Sequence, residues 1–252
     1  MVPVLGLLMV AGTAALSVRL YVEGLYRRYR AFFVYLIIAT LRSGIFATLN
    51  PTGKLYYRVW IWTEPIEWFL FVLVVLEVYS LVLEDYKGLA TVGRWSMIAA
   101  VVVALLASGL SLLAPSNITT QGLVLRYYYV AERAVYFSLL VFLLTILGVL
   151  MQYPISLSRN IIVHSIVFSV YFLALSLNYL VLSMFGEKVL DLVRFAVEAA
   201  ALGAIGVWLL MLKEAGEQRK QKLRPAWMPG QEEALISQFN NLNAALLRVT
   251  RK

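Results

Sequence analysis

Charged side chains recur in this chain inside stretches that are otherwise apolar. Arg42, Glu64, Glu67, Glu132, Arg133, Arg194 and Glu198, together with Asn178, all interrupt long runs of Leu, Val, Ile, Phe and Ala. An ion at the centre of a bilayer costs at least about 2.5–3.5 kcal/mol on insertion scales, so such residues normally turn inward, where they pair or serve a pathway. Two kinds of chemistry fit this set. One is an outward-facing polar cavity that takes a small ligand or moves an ion or proton. Its arginines would attract an anionic group, with Glu132 and Glu198 holding them in place. The other is a static ion-pair network that sets helix register, although desolvation of buried pairs can exceed their Coulombic gain. Glu77 and His164 lie apart from the rest as an inner polar pair. Imidazole titrates near neutrality, so that pair has the composition of a pH sensor. A lone histidine is more commonly a packed, hydrogen-bonded residue.

Much other chemistry is excluded. The chain has no cysteine and one histidine. That removes disulfides, thiolate nucleophiles, Cys-ligated zinc, iron–sulfur clusters and bis-histidine haem. No phosphate loop, nucleophile elbow or His-Glu-x-x-His stretch occurs. Carboxylate acid–base work by Glu67, Glu132 or Glu198 is conceivable, but no spacing identifies it. A non-enzymatic protein without metal or cofactor is expected.

The elements that must carry these residues follow from composition. Of 252 residues, 62% are hydrophobic and 14% charged, and mean hydropathy is +0.80. Soluble domains run at about 45–50% apolar and about 25% charged. A water-soluble globule of this kind would expose large apolar patches, so lipid is the expected solvent. A helix needs about 20 apolar residues to cross the hydrocarbon core. Segments 2–20, 32–49, 60–83, 97–113, 123–152, 161–185 and 189–212 meet that need. The fold expected is therefore an all-α integral membrane protein, a seven-transmembrane-helix bundle over residues 1–213. The first segment lacks the basic flank of a signal peptide and is read as a span.

Orientation follows from the basic residues. Arg19, Arg27, Arg28, Arg30, Lys87, Arg94, Arg159 and the basic tail from Lys213 fall on one side. Lys54, Arg58, Arg126 and Lys188 fall on the other. The positive-inside rule then puts the amino terminus outside and the carboxyl terminus in the cytoplasm. Tyr56, Tyr57, Trp60 and Trp62 suit an outer aromatic belt, and Tyr26, Tyr29 and Trp95 an inner one. At about 1.5 Å rise per residue the Arg/Glu set lies in the outer half of the membrane.

Pro65 leaves two readings of the third span. Thr63 caps a helix that starts at Pro65, with Glu64 and Glu67 near its positive end. Alternatively a longer helix kinks at Pro65, and both carboxylates point into a cavity. Ala199, Gly203, Ala204 and Gly206 give the last span small residues suited to close packing. That span contains no lysine, which excludes a retinal Schiff base.

After Leu212 the composition changes. Residues 214–230 read as a basic juxtamembrane linker held at anionic headgroups. Residues 231–252 read as a cytoplasmic amphipathic helix. In it Leu235, Phe239, Leu242, Leu246 and Val249 are spaced as a heptad seam. That seam fits a cytoplasmic or membrane protein partner, self-association, or the bilayer surface with Trp227 as an anchor. The net charge of +8 sits beside the spans, so anionic lipid is the expected counterpart and nucleic acid is not. Compact loops and absent cysteine point to a bacterial inner membrane. The functions these features allow are a sensory or regulatory module, a small transporter or proton-coupled carrier, or a structural subunit of a membrane complex.

Overall fold

The computed structural model describes residues 2–50, 53–84, 120–152, 156–185, 189–218, 220–222 and 231–250, with isolated positions between 91 and 106. Long helices dominate: α1 (Val2–Val22), α2 (Arg30–Thr48), α3 (Lys54–Val82), α4 (Thr120–Gln152), α5 (Arg159–Phe185) and α6 (Leu190–Met211). Six helices among the described residues are long and apolar enough to cross a membrane. The chain is thus a helical bundle of the multi-pass membrane class. The expected span at 97–113 lies outside the described residues apart from scattered helical positions such as Ile98 and Val102.

The helices pack as a closed ring. Each contacts the next in chain order, α6 returns to α1, and α3 reaches across to α5. The ring is dry inside, with Leu16, Phe32, Phe71, Leu139, Phe168 and Phe172 fully buried. Aromatic edges meet faces there. Phe71 stands perpendicular to Phe172 at 5.3 Å, and Phe32 meets Trp208 at 4.8 Å. Offset and T-shaped pairs of this kind add about 0.5–1.5 kcal/mol beyond area burial. The outward faces are apolar as well: Leu7, Phe69, Val170, Leu192 and Leu210 are all more than half exposed. Water would penalise that surface, whereas lipid tails do not.

Hydroxyl side chains within the spans are satisfied locally. Thr13, Ser17, Ser138, Thr145 and Ser169 each donate to the carbonyl four residues earlier, the usual way a helix absorbs Ser and Thr where no water is available. α1 and α6 pack tightly at Gly12, where a Cβ would stand 3.2 Å from the Ile205 side chain. Gly203 and Gly206, read from the sequence as packing positions, face open space instead, while Ala204 is buried.

One end of the bundle carries an added layer, and we call it the tail end. A single 3₁₀ turn (Leu25–Arg27) links α1 to α2, entered through Gly24 at φ 69°, a left-handed conformation that glycine adopts without a Cβ clash. Beyond α6 a five-residue helix α7 (Glu214–Gln218) leads to strand β2 (Lys220–Lys222). β2 pairs antiparallel with β1 (Ser156–Ser158), which lies between α4 and α5. Half of the stretch expected as a linker is therefore ordered against the bundle. The final helix, α8 (Gln231–Thr250), forms where the heptad spacing places it.

Candidate functional site

The far end of the bundle gathers part of the expected charge cluster. α3 runs unbroken through Pro65, so the longer-helix reading of that span holds. Proline has no N–H, and at position 65 it leaves the Ile61 carbonyl without its helical donor. The Tyr128 hydroxyl on α4 supplies one, donating to Ile61 O at 3.0 Å. With α3 continuous, Glu64 and Glu67 lie one turn apart on it and both ion-pair with Arg42 of α2. Arg42 Nε also donates to Thr63 Oγ1 at 3.1 Å, and its guanidinium stands 5.3 Å from the Phe46 ring. Beside these groups lies a pocket of about 50 Å³ lined by Tyr35, Ile38, Arg42, Thr63 and Glu67, among others. Small-molecule sites run to about 300–1,000 Å³, so this one has the scale of a few waters.

Glu132 joins the cluster from α4. It is fully buried, and Glu64 is 3% exposed. The groups that act on its carboxyl are Glu64, Tyr179 and Arg42. Among the described residues neither Glu132 oxygen has a partner in full hydrogen-bond geometry. Tyr179 of α5 and Tyr136 of α4 feel both carboxyls, and Tyr171 of α5 feels Glu64. The site is thus a set of carboxyls around a single engaged guanidinium, walled by phenols.

The remaining candidates separate. Arg133 follows Glu132 by about 100° around the helix, is half-buried and has interactions of its own. Asn178 is half-buried. Arg194 is exposed on α6 and acts on Glu198, one turn along the same helix, as an i,i+4 pair does. Of the three arginines, Arg42 lines the pocket described above and Arg194 acts on Glu198.

Glu77 and His164 also take different neighbours. The two Glu77 oxygens accept from the backbone N–H groups of Ala31 at 2.8 Å and Phe32 at 3.1 Å. Those are orphan donors in the first turn of α2, so Glu77 is a cap supplied by another helix. His164 is fully buried among the rings of Tyr29, Phe32, Phe168 and Trp208, with centroids 4.6–5.9 Å away. Among the described residues neither ring nitrogen has a hydrogen-bond partner. His164 therefore packs as an aromatic ring in an aromatic box, without the hydrogen bonds that a buried histidine commonly makes.

A second polar centre at the tail end was not read from the sequence. Its hub is Glu217 on α7. One oxygen accepts from the Tyr29 hydroxyl at 2.5 Å and from Asn160 Nδ2 at 2.8 Å. The other pairs with Arg28 Nε at 2.9 Å. Asn160 Nδ2 also reaches the Lys213 carbonyl at 2.8 Å, and Arg28 reaches Glu84 at the end of α3 at 3.0 Å. Glu23 accepts from the Glu214 N–H at 2.8 Å, capping α7. Gly216 packs against the Asn160 amide, which a Cβ there would displace from its hydrogen bonds. Burial and the neighbouring Glu217 carboxylate hold the Tyr29 phenol well above its ordinary range, so it stays a donor. One signal in the sequence pointed here: Glu214 and Glu217 break an otherwise basic stretch.

On α8, Leu242 is exposed and Leu246 half-buried. The side chains of Leu235, Phe239 and Val249 lie outside the described residues.

Fold and sites together define a multi-pass membrane bundle with a polar cluster at one end and a tethered tail at the other. No protein-family model, curated protein or solved structure matches the chain.

Proposed function

We propose that the protein is a non-enzymatic sensory or regulatory module of a bacterial inner membrane, with seven spans, its amino terminus outside and its tail cytoplasmic. The observation that carries this reading is the Glu217 latch. It ties the segment that precedes α8 onto the α1–α2 turn and α5, and through Arg28 onto Glu84 after α3, which supports a coupling of those helices to the tail. The seven-span count has its own support. Glu84 lies at the tail end beside Arg28, whereas Tyr128 lies at the far end against Ile61. α3 and α4 therefore run parallel, and the connection between them has to return the length of the bundle.

The input is the carboxyl cluster around Arg42, which sits in the outer half of the membrane under the positive-inside orientation. The two carboxylates on Arg42 and the small pocket favour a proton or small ion over the anionic ligand that three convergent arginines would have taken. A carrier needs a polar path to the other side. Glu77 and His164 do not extend one, since the first caps a helix and the second is enclosed by rings. That favours a sensor over a carrier. The output is a cytoplasmic or membrane protein partner, or a second copy, docking on the α8 seam.

The test uses the absence of native cysteine. A spin label at Ala244→Cys on α8 reports tail mobility in the reconstituted chain. Glu217→Ala removes the acceptor for three side chains, at about 1.5–3 kcal/mol for hydrogen bonds to a charged group, and frees the label. Arg42→Gln at the far end changes label mobility if the bundle transmits. A label that responds to Glu217→Ala but not to folded Arg42→Gln would instead make the latch a static anchor and the protein a structural subunit.

A further inference from the structure

We propose that Glu64 and Glu132 hold one proton between them, so that the far end of the bundle is a membrane-buried proton-binding site. Two carboxyl groups from adjacent helices, 3% and 0% exposed, act directly on each other. Two like charges so placed in a low-dielectric interior repel by several times what they would in water. Paired carboxyls in proteins relieve this by sharing a proton.

An independent observation points to the same occupant. Both Glu132 oxygens are enclosed, and among the described residues neither has a donor in full hydrogen-bond geometry, the Tyr179 hydroxyl being the nearby group that acts on them; a buried acceptor left so costs about 1–3 kcal/mol. A proton on the pair removes the deficit, because a protonated carboxyl becomes an O–H donor to its neighbour. The groups facing the pair leave that role open. From α2, Arg42 is already engaged by Glu64 and Glu67. From α5, Tyr171 and Tyr179 bring neutral phenols, as does Tyr136 beside Glu132 on α4. Arg133, the next residue on α4, has interactions of its own, and Arg194 of α6 acts on Glu198. A metal ion is the less suited occupant: no three acidic or histidine side chains among the described residues converge as its ligands. Loss or gain of the proton changes the charge that Glu64 presents to Arg42, which is the step that couples the site to α2.

This names the ligand of the cluster proposed above and rests on that reading only for its signalling consequence. The experiment reads proton binding itself. Infrared difference spectra of the reconstituted full chain are recorded at neutral pH, following the C=O stretch of protonated carboxyls and its shift in D₂O. One such band is expected in the wild type, absent from both Glu132→Gln and Glu64→Gln, and displaced in Tyr179→Phe. No band in the wild type, or a band that survives in both Gln variants, overturns the assignment. Loss of the band on adding sodium at constant pH also overturns it, in favour of a cation. If the Gln variants do not fold, Tyr179→Phe decides: its hydroxyl acts on Glu132, so an unmoved band sinks the proposal. A present band with a silent tail label would remove the sensor reading and leave the proton site standing. An absent band with a responsive label would do the reverse.

Discussion

Pro65, Tyr128 and Glu217 show how far single residues in this chain depend on partners distant in sequence. Pro65 removes a donor that Ile61 needs, and the replacement comes from Tyr128 on another helix. The coupling makes a sharp prediction. Tyr128→Phe leaves the Ile61 carbonyl unpartnered and lowers stability by about 1–3 kcal/mol. In a Pro65→Ala background the new backbone N–H serves that carbonyl, so the same Tyr128→Phe change should cost far less. Equilibrium unfolding of the four proteins in detergent micelles measures the coupling, and additive losses would show that the two residues do not share the carbonyl. The sequence places Glu64 and Glu67 in the third span but leaves the Pro65 question open, because Tyr128, which resolves it, lies 67 positions from the Ile61 carbonyl it serves. It also groups Glu77 with His164 by depth. Depth along a helix is readable from spacing, but the face that a side chain presents to its neighbours is not.

At the scale of elements, the helices are held at their ends by groups borrowed from other helices. α2 and α7 begin without capping side chains of their own, and Glu77 and Glu23 serve their N–H groups. Caps of this kind are worth about 0.5–2 kcal/mol, and the helix dipole favours a carboxylate there. Glu77→Ala is expected to destabilise the bundle within that range, and Glu77→Gln, which keeps one acceptor oxygen, by roughly half as much. Unfolding midpoints that leave Glu77→Ala level with wild type would mean that water serves the α2 N–H groups equally well. The β1–β2 pairing belongs to the same scale. Three-residue strands, one Ser-Leu-Ser and the other Lys-Gln-Lys, are too short to carry a period in sequence, and this pair forms because the segments after α4 and α7 are brought to one face of the bundle.

For the whole molecule, the ring closure of α6 on α1 puts both polar centres on one rigid frame, the carboxyl cluster at one end and the latch at the other. Orientation in the membrane is the property of the whole most open to a direct check. With Lys54→Cys at the far end and Ser237→Cys on α8, a membrane-impermeant thiol reagent should label the first in intact cells and the second only after lysis. Labelling in the opposite pattern would invert the topology and place the carboxyl cluster towards the cytoplasm. Sequence alone determined the class: an apolar fraction and helix lengths that only lipid can solvate, a helix-period tail, and charges that must turn inward. These are properties of each segment taken singly, set by solvent transfer and helix geometry. Tertiary structure decided which charges meet. Arg42, Glu64, Glu67 and Glu132 converge because α2, α3 and α4 are neighbours in the ring, while Arg194 and Glu198 remain on a helix that turns them elsewhere. The Glu217 latch was decided the same way, since Arg28 and Tyr29, Glu84 and Asn160 come from three separated stretches of chain and only packing brings them together.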